Sequence, residues 1–173
     1  MFSLDDFVSS PHLLKIIATQ LSVWPEHAKY LTARFAEDSP DFRTRSDEIA
    51  NLVLLLVDDR LGEVCADYRW MCENFLDEEL YFRRHKRYRL ATFAEANNKV
   101  YSNTEYMSRY VNGILLSQLF WHNHAVAMDL FRTRFLPSLP KDFRHVEVGP
   151  GHGLCRREAQ LQLMAHQPVR EIQ

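Results

Sequence analysis

The sequence predicts a mainly α fold: a helical N-terminal domain over residues 1–140, leading at residues 141–173 into the first strand and glycine loop of an incomplete α/β unit. Two observations carry this expectation. From Leu13 to Phe131 apolar residues recur at helical spacing, punctuated by serine–proline steps and capping residues. Then Val146, Glu147 and Val148 form a short β-branched run holding one acid, and Gly149, Gly151 and Gly153 follow at alternate positions. Three of the chain's five glycines fall within these five positions. Glycine costs conformational entropy, so such clustering marks a backbone that turns tightly or approaches a ligand closely. After a strand, a turn of this kind leads into a helix whose free N–H groups face the ligand.

The helices follow in order. Ser10-Pro11 opens the first, with serine as N-cap and proline at the first helical position, and Leu13, Leu14, Ile17 and Leu21 form its stripe. Pro25 opens a second that carries Ala28, Leu31, Phe35 and Ala36 and ends near Ser39-Pro40, because the residue before a proline leaves the helical region. Ser46 starts a long segment with Asp47 and Glu48 in its first turn. Its apolar positions run from Ile49, Leu52, Val53 and Leu56 to Leu61, Val64, Cys65, Tyr68, Cys72, Phe75 and Leu76. This is one helix bent near Asp58-Asp59 or Gly62, or two consecutive ones, packed against several neighbours.

Arg83, Arg84, Lys86, Arg87 and Arg89 interleave with Tyr81, Phe82 and Tyr88, but Asp77, Glu78 and Glu79 stand just upstream to neutralise them. A solvated helix end accounts for the cluster, since cations there complement the helix dipole. Thr92 to Glu95 and Ser102 to Glu105 have capping-box spacing, so each opens a helix. The second introduces the longest pattern, Glu105 to Phe135, with Tyr106, Tyr110, Ile114, Leu115, Trp121, Ala125, Met128 and Phe131 on its apolar side. It is expected as one dominant helix with Tyr110, Ile114, Trp121 and Phe131 at least partly buried. Pro137 and Pro140 end it, and residues 141–144 approach the strand.

Composition bounds the function classes. The chain of 173 residues is long enough for a sizeable core, and 46% hydrophobic with 25% charged content is typical of a globular protein. A net charge of −2 provides no global field to recruit nucleic acid or an acidic membrane, so neither is expected as a partner. Cys65, Cys72 and Cys155 form no CxxC pair or disulfide framework, which fits a reducing cytoplasm. Asp5 and Asp6 interrupt any signal-peptide pattern, and the most apolar run, residues 52–57, is too short to span a bilayer.

His122-Asn123-His124 invites a metal reading, but residues two apart on a helix point away from one another. No metal site is predicted, and a structural or substrate-facing histidine is expected instead. No G-x-S-x-G elbow, P-loop or H-E-x-x-H motif occurs. Cys155 follows the glycines at a helix N-terminus, where thiol pKa values fall, but it has no partner histidine nearby except His152.

The segment Val146-Glu147-Val148-Gly149-Pro150-Gly151-His152-Gly153 resembles the first motif of class I S-adenosylmethionine-dependent methyltransferases, a hydrophobic strand, an acid and G-x-G-x-G. Tyr110, Gly113, Ser117 and Trp121 give the helical region a pattern that also resembles N-terminal helical regions of some bacterial methyltransferases. The resemblance implies a Rossmann-like α/β domain in which Gly149, Pro150, Gly151 and Gly153 carry the loop past the amino acid and ribose portions of S-adenosylmethionine. Glu147 would lie near the cofactor's methionine amine. It further implies a helical part that caps the substrate pocket or mediates dimerisation, and methyl transfer to a small-molecule acceptor; catalytic residues are not identifiable.

After Gly153 the composition changes character: Arg156 and Arg157 stand where a small apolar face against a sheet belongs. In the family an acid for the ribose hydroxyls ends a second strand roughly 15–20 positions further on. Glu171 falls in that range, but the alternation of residues 168–172 makes a poor buried strand and no binding role is assigned to it. A truncated or altered-frame product, or a degenerate gene, would look this way, and such a chain is expected to be inactive alone. The alternative is a helical self-association module whose glycine turn is structural. Either way a homodimer is expected, with Tyr106, Phe120, Trp121 and Phe131 as candidates for uncovered apolar surface.

Overall fold

A computed structural model describes residues 7, 9–36 and 38–165. Among these residues the chain is helical almost throughout and no strand forms. The α-helices are α1 Pro11–Val23, α2 Ala28–Phe35, α3 Pro40–Val57, α4 Leu61–His85, α5 Phe93–Ala96, α6 Thr104–Phe120, α7 His122–Leu130 and α8 Leu154–Ala165. Asp5, Asp6 and Glu171 lie outside the described residues.

α1 begins at the Ser10-Pro11 step, but the Ser10 side chain does not cap it. Asp47 reaches across from α3 instead: Leu13 N–H donates to Oδ1 at 2.8 Å, and Nδ1 of His12 pairs with Oδ2 at 2.8 Å. The cap is tertiary and ties the start of α1 to α3. A 3-10 turn, Pro25–His27, precedes α2, which ends at Phe35 rather than near Ser39-Pro40. Ser39 and Pro40 open α3, with the Ser39 hydroxyl accepting from Phe42 N–H at 3.2 Å, and Ser46 is buried within that helix rather than starting it. The long apolar segment is two helices. Asp58, at φ 51°, breaks it and begins a 3-10 turn to Arg60.

One core joins these helices. Leu13 and Ile17 of α1, Leu31 of α2, Val53 of α3, Tyr68 of α4 and Leu116 of α6 are all buried in it. Cys65 is also buried there and Cys72 packs against it, and burial pushes their thiols up to about 12 and about 11. α4 and α6 approach closely at Gly113, where an added Cβ would lie 2.7 Å from Met71 Sδ and 2.9 Å from Met71 Cβ.

The region from Glu105 to Phe135 is not one helix. α6 stops at Phe120, Trp121 is extended at φ −97° and ψ 122°, and α7 restarts at His122. No glycine or proline causes the break. The Trp121 indole N–H donates to the Tyr68 hydroxyl at 3.0 Å, and the Tyr30 hydroxyl donates to the Phe120 carbonyl at 3.2 Å. Two long-range bonds thus hold the ends of the interruption. Tyr110, Ile114, Trp121 and Phe131 are half-buried, as their spacing predicts. Phe120 is fully buried and Tyr106 half-buried, so the expected uncovered aromatic surface does not lie there.

The capping box forms at Thr92 and Glu95, but not at Ser102; Asn103 caps α6 through Tyr106 N–H at 3.0 Å. Two π-helical turns follow α5 and α7, Asn97–Tyr101 and Phe131–Phe135. The basic cluster is paired in part with its upstream acids, Arg83 with Glu79 and Arg89 with Asp77 and Glu78. Among the described residues no helix is long and apolar enough to cross a membrane.

Candidate cofactor-binding segment

After a 3-10 turn at Leu136–Ser138 the chain reaches residues 145–148 without regular structure. The predicted strand does not form, because among the described residues there is no neighbouring strand to take its backbone N–H and C=O groups. The alternation survives but with the valines outward. Val146 and Val148 are 86% and 96% exposed, while His145 and Glu147 are half-buried. The His145 ring lies edge-on to Phe131 of the second π turn, and its Nε2 sits 3.9 Å from Glu147 Oε2. Both of those atoms are buried and without a hydrogen-bond partner.

The glycines adopt the backbone that their clustering predicts. Gly149, Gly151 and Gly153 have φ values of 68°, 51° and 75°, a region that side chains with a Cβ disfavour. Space is not the reason for glycine, since a Cβ at Gly149 or Gly153 would meet nothing within 4 Å. Gly153 N–H donates to the Pro150 carbonyl at 2.8 Å and closes the turn; Arg157 N–H donates to the Gly153 carbonyl at 3.0 Å and starts α8. Pro150 and the three glycines follow Glu147 directly in a run of bends and turns, so the five sequence-predicted residues are neighbours along the chain.

α8 packs against the helical part rather than against a sheet. Leu154 is fully buried in the common core, beyond the expected boundary at residue 140, and Ala159 is buried on the same face. Glu158, also buried, accepts from Arg132 Nε at 2.9 Å, and the same guanidinium reaches Glu48 at 3.0 Å. Arg156 and Arg157 point outward.

Two histidines lie close enough at this junction for one to act electrostatically on the other. The Ser117 hydroxyl donates to the Ile114 carbonyl at 2.7 Å, leaving its oxygen to accept from Nδ1 of His124 at 2.8 Å. His152, in the glycine segment, accepts Leu154 N–H through Nδ1 at 3.1 Å. Burial lowers the pKa of both, and His124 lowers that of His152 further by charge repulsion. Both are therefore neutral near pH 7. Cys155 is shifted the other way from the expectation for a helix N-terminus: burial, with the Glu147 and Glu158 carboxylates nearby, raises its thiol. It is a poor nucleophile in this setting. His122 and Asn123 are exposed, and among the described residues no three His, Cys, Asp or Glu side chains converge as a metal site.

Sequence reasoning missed two buried polar centres in the helical part. Asp67 takes Arg109 Nε at 2.8 Å and Asn112 Nδ2 at 2.9 Å. His27 is stacked between Trp24 and Tyr30, with Nε2 3.4 Å from the Tyr68 hydroxyl, and burial holds its pKa at about 4. The hydrogen-bonding partners lie some forty positions apart, so no local motif announces them; only Asp67 inside an apolar stripe, and the three-residue spacing of Trp24, His27 and Tyr30, are local signals.

Comparison with known proteins returns no matching family model, no matching curated protein and no matching solved structure.

Proposed function

We propose that this chain is the helical part of a class I S-adenosylmethionine-dependent methyltransferase joined to its first cofactor-binding segment, serving transfer of a methyl group to a small-molecule acceptor. One observation carries the reading: between an acid and the start of a helix, three alternate glycines all take positive φ. That backbone is costly for other residues and suits a loop that runs close to a ligand. The fit to the cofactor rests on Glu147, whose buried Oε2 lacks a hydrogen-bond partner and suits a ligand ammonium. Glu147 would take the methionine amine, and Gly149, Pro150, Gly151 and Gly153 would pass the amino acid and ribose portions. When bound, the cofactor supplies an electrophilic methyl group; the chain's own part is to hold the donor end in place, where orientation accounts for much of the rate.

The described residues offer the adenosine no sheet to lie on. Binding by this chain is therefore weaker than a complete α/β domain would give. Titration calorimetry with S-adenosylhomocysteine should give a dissociation constant near the millimolar range, weakened further in Glu147→Gln. Absence of any heat at saturating ligand removes the cofactor reading, and an unchanged Glu147→Gln variant removes its anchor.

A second reading, self-association, is favoured by the two solvent-facing valines. Val146 and Val148, exposed on a segment without regular structure, are suited to pair with the same segment of a second copy. Light scattering should report a dimer that Val146→Lys with Val148→Lys converts to a monomer. A wild-type monomer at high concentration refutes the dimer.

A further inference from the structure

Residues 88–90, 99 and 100 of the segment 86–103, with Asn74 and Glu78 of α4 and Tyr106 of α6, line an open cleft of about 530 Å³. That volume lies in the range of small-molecule sites, roughly 300–1,000 Å³. Leu90, Val100 and the rings of Tyr88 and Tyr106 supply its apolar walls. The segment is held rather than loose. Arg89 binds Asp77 at 2.8 Å and Glu78 at 3.0 Å, and its guanidinium covers the Tyr81 ring.

With Arg89 and Glu78 engaged in that bridge, the remaining polar groups of the lining are less committed. Lys99 makes no ion pair among the described residues. Its nearest acid along the chain, Glu95, attracts it electrostatically from one turn away but makes no direct ion pair with it, one carboxylate oxygen taking Ala91 N–H, Thr92 N–H and the Thr92 hydroxyl in the capping box. The Asn74 amide nitrogen donates to the Trp70 carbonyl at 2.7 Å, which leaves its oxygen to accept from a ligand. Burial, with Glu78 nearby, raises the Tyr106 phenol and keeps it a donor. Lys99 and Val100 both belong to the π-helical turn Asn97–Tyr101, and turns of this kind concentrate at functional sites.

We propose that this cleft binds a small planar aromatic carboxylate bearing a hydroxyl group, its ring against Leu90, Val100 and the two tyrosines, its carboxylate on Lys99 and its hydroxyl donating to Asn74. The site is separate from the glycine segment. Tyr106 and Ser117 sit at opposite ends of α6, about 16 Å apart along the axis, and only Ser117 touches the histidine that adjoins the glycines. The inference therefore stands or falls independently of the cofactor reading.

The test is titration of the full chain with 4-hydroxybenzoate and its neutral analogue 4-hydroxybenzamide, followed by the amide resonances of Leu90 and Val100 and the side-chain amide of Asn74. The benzoate should shift all three in a saturable way and bind about fivefold more tightly than the benzamide, the effect of a partly exposed ion pair. Lys99 is exposed, so Lys99→Gln should fold normally and bring the benzoate down to the level of the benzamide. Tyr106→Leu should weaken both compounds. Equal affinity for the two compounds, an unaffected Lys99→Gln variant, or no saturable shift at these three sites would overturn the proposal.

Discussion

Gly113→Ala tests how the two longest-packed helices meet. In an exposed helix this change stabilises by about 0.8–1.0 kcal/mol, because alanine loses less backbone entropy than glycine. Here the added Cβ would lie 2.7 Å from Met71 Sδ and 2.9 Å from Met71 Cβ. The sulfur is on a flexible arm and can swing, but Cβ is fixed to the α4 backbone, so α4 and α6 must separate. Overpacking of this kind costs about 1–3 kcal/mol. The net effect is destabilisation by about 1 kcal/mol, set by the helix contact winning over the propensity gain. Gly62→Ala is the control: it also lies in a helix, but its new Cβ would meet nothing within 4 Å, so it should stabilise by about 0.5 kcal/mol. Urea unfolding followed by far-ultraviolet circular dichroism reads both. A Gly113→Ala variant as stable as the wild type, with Gly62→Ala behaving as stated, would refute the close approach of α4 and α6.

Three further outcomes follow from the same packing. Asp47→Ala removes both the cap on Leu13 N–H and the His12 pair, and should cost about 1–2 kcal/mol in urea unfolding, against near zero for Asp142→Ala at an exposed turn. His27 is neutral in the fold down to about 4 but protonates near the ordinary histidine value of 6.5 once unfolded, so the unfolded chain binds the extra proton first. Its contribution is complete above pH 6.5 and lost as pH falls towards 4, by about 2 kcal/mol after allowance for solvent screening; His27→Gln should flatten that part of the stability–pH curve. Glu158→Gln weakens the bond from Arg132 by about 1–2 kcal/mol, and hydrogen exchange should show α8 opening more readily while α4 and α6 keep their protection.

The helices were legible in the sequence because their signals are local. The Ser10-Pro11 step and the Thr92–Glu95 box appear where helices begin, and the apolar spacing of Tyr110, Ile114 and Phe131 matches their partial burial. What failed depended on distant partners. The cap on α1 comes from Asp47, and the interruption at Trp121 is held from Tyr68 and Tyr30, neither of which a window of neighbouring residues contains. The Ser102–Glu105 spacing was misleading because Asn103, an equally good cap, stands one residue further on. In the candidate site the glycine conformations were legible, since positive φ is written in residue type. The strand was not, because hydrogen-bonding partners make a strand and Val146 and Val148 meet none among the described residues. The raised thiol of Cys155 was likewise hidden, as it depends on burial of Leu154 and its neighbours in a core built by other helices.

The most direct test of the cofactor reading is a map of where S-adenosylhomocysteine acts on this chain. Amide shifts recorded at millimolar ligand should concentrate on residues 147–155 and fade in Gly151→Ala, whose positive φ the new side chain opposes. Shifts confined to the cleft around Asn74 and Val100, or none at residues 147–155, would contradict the account.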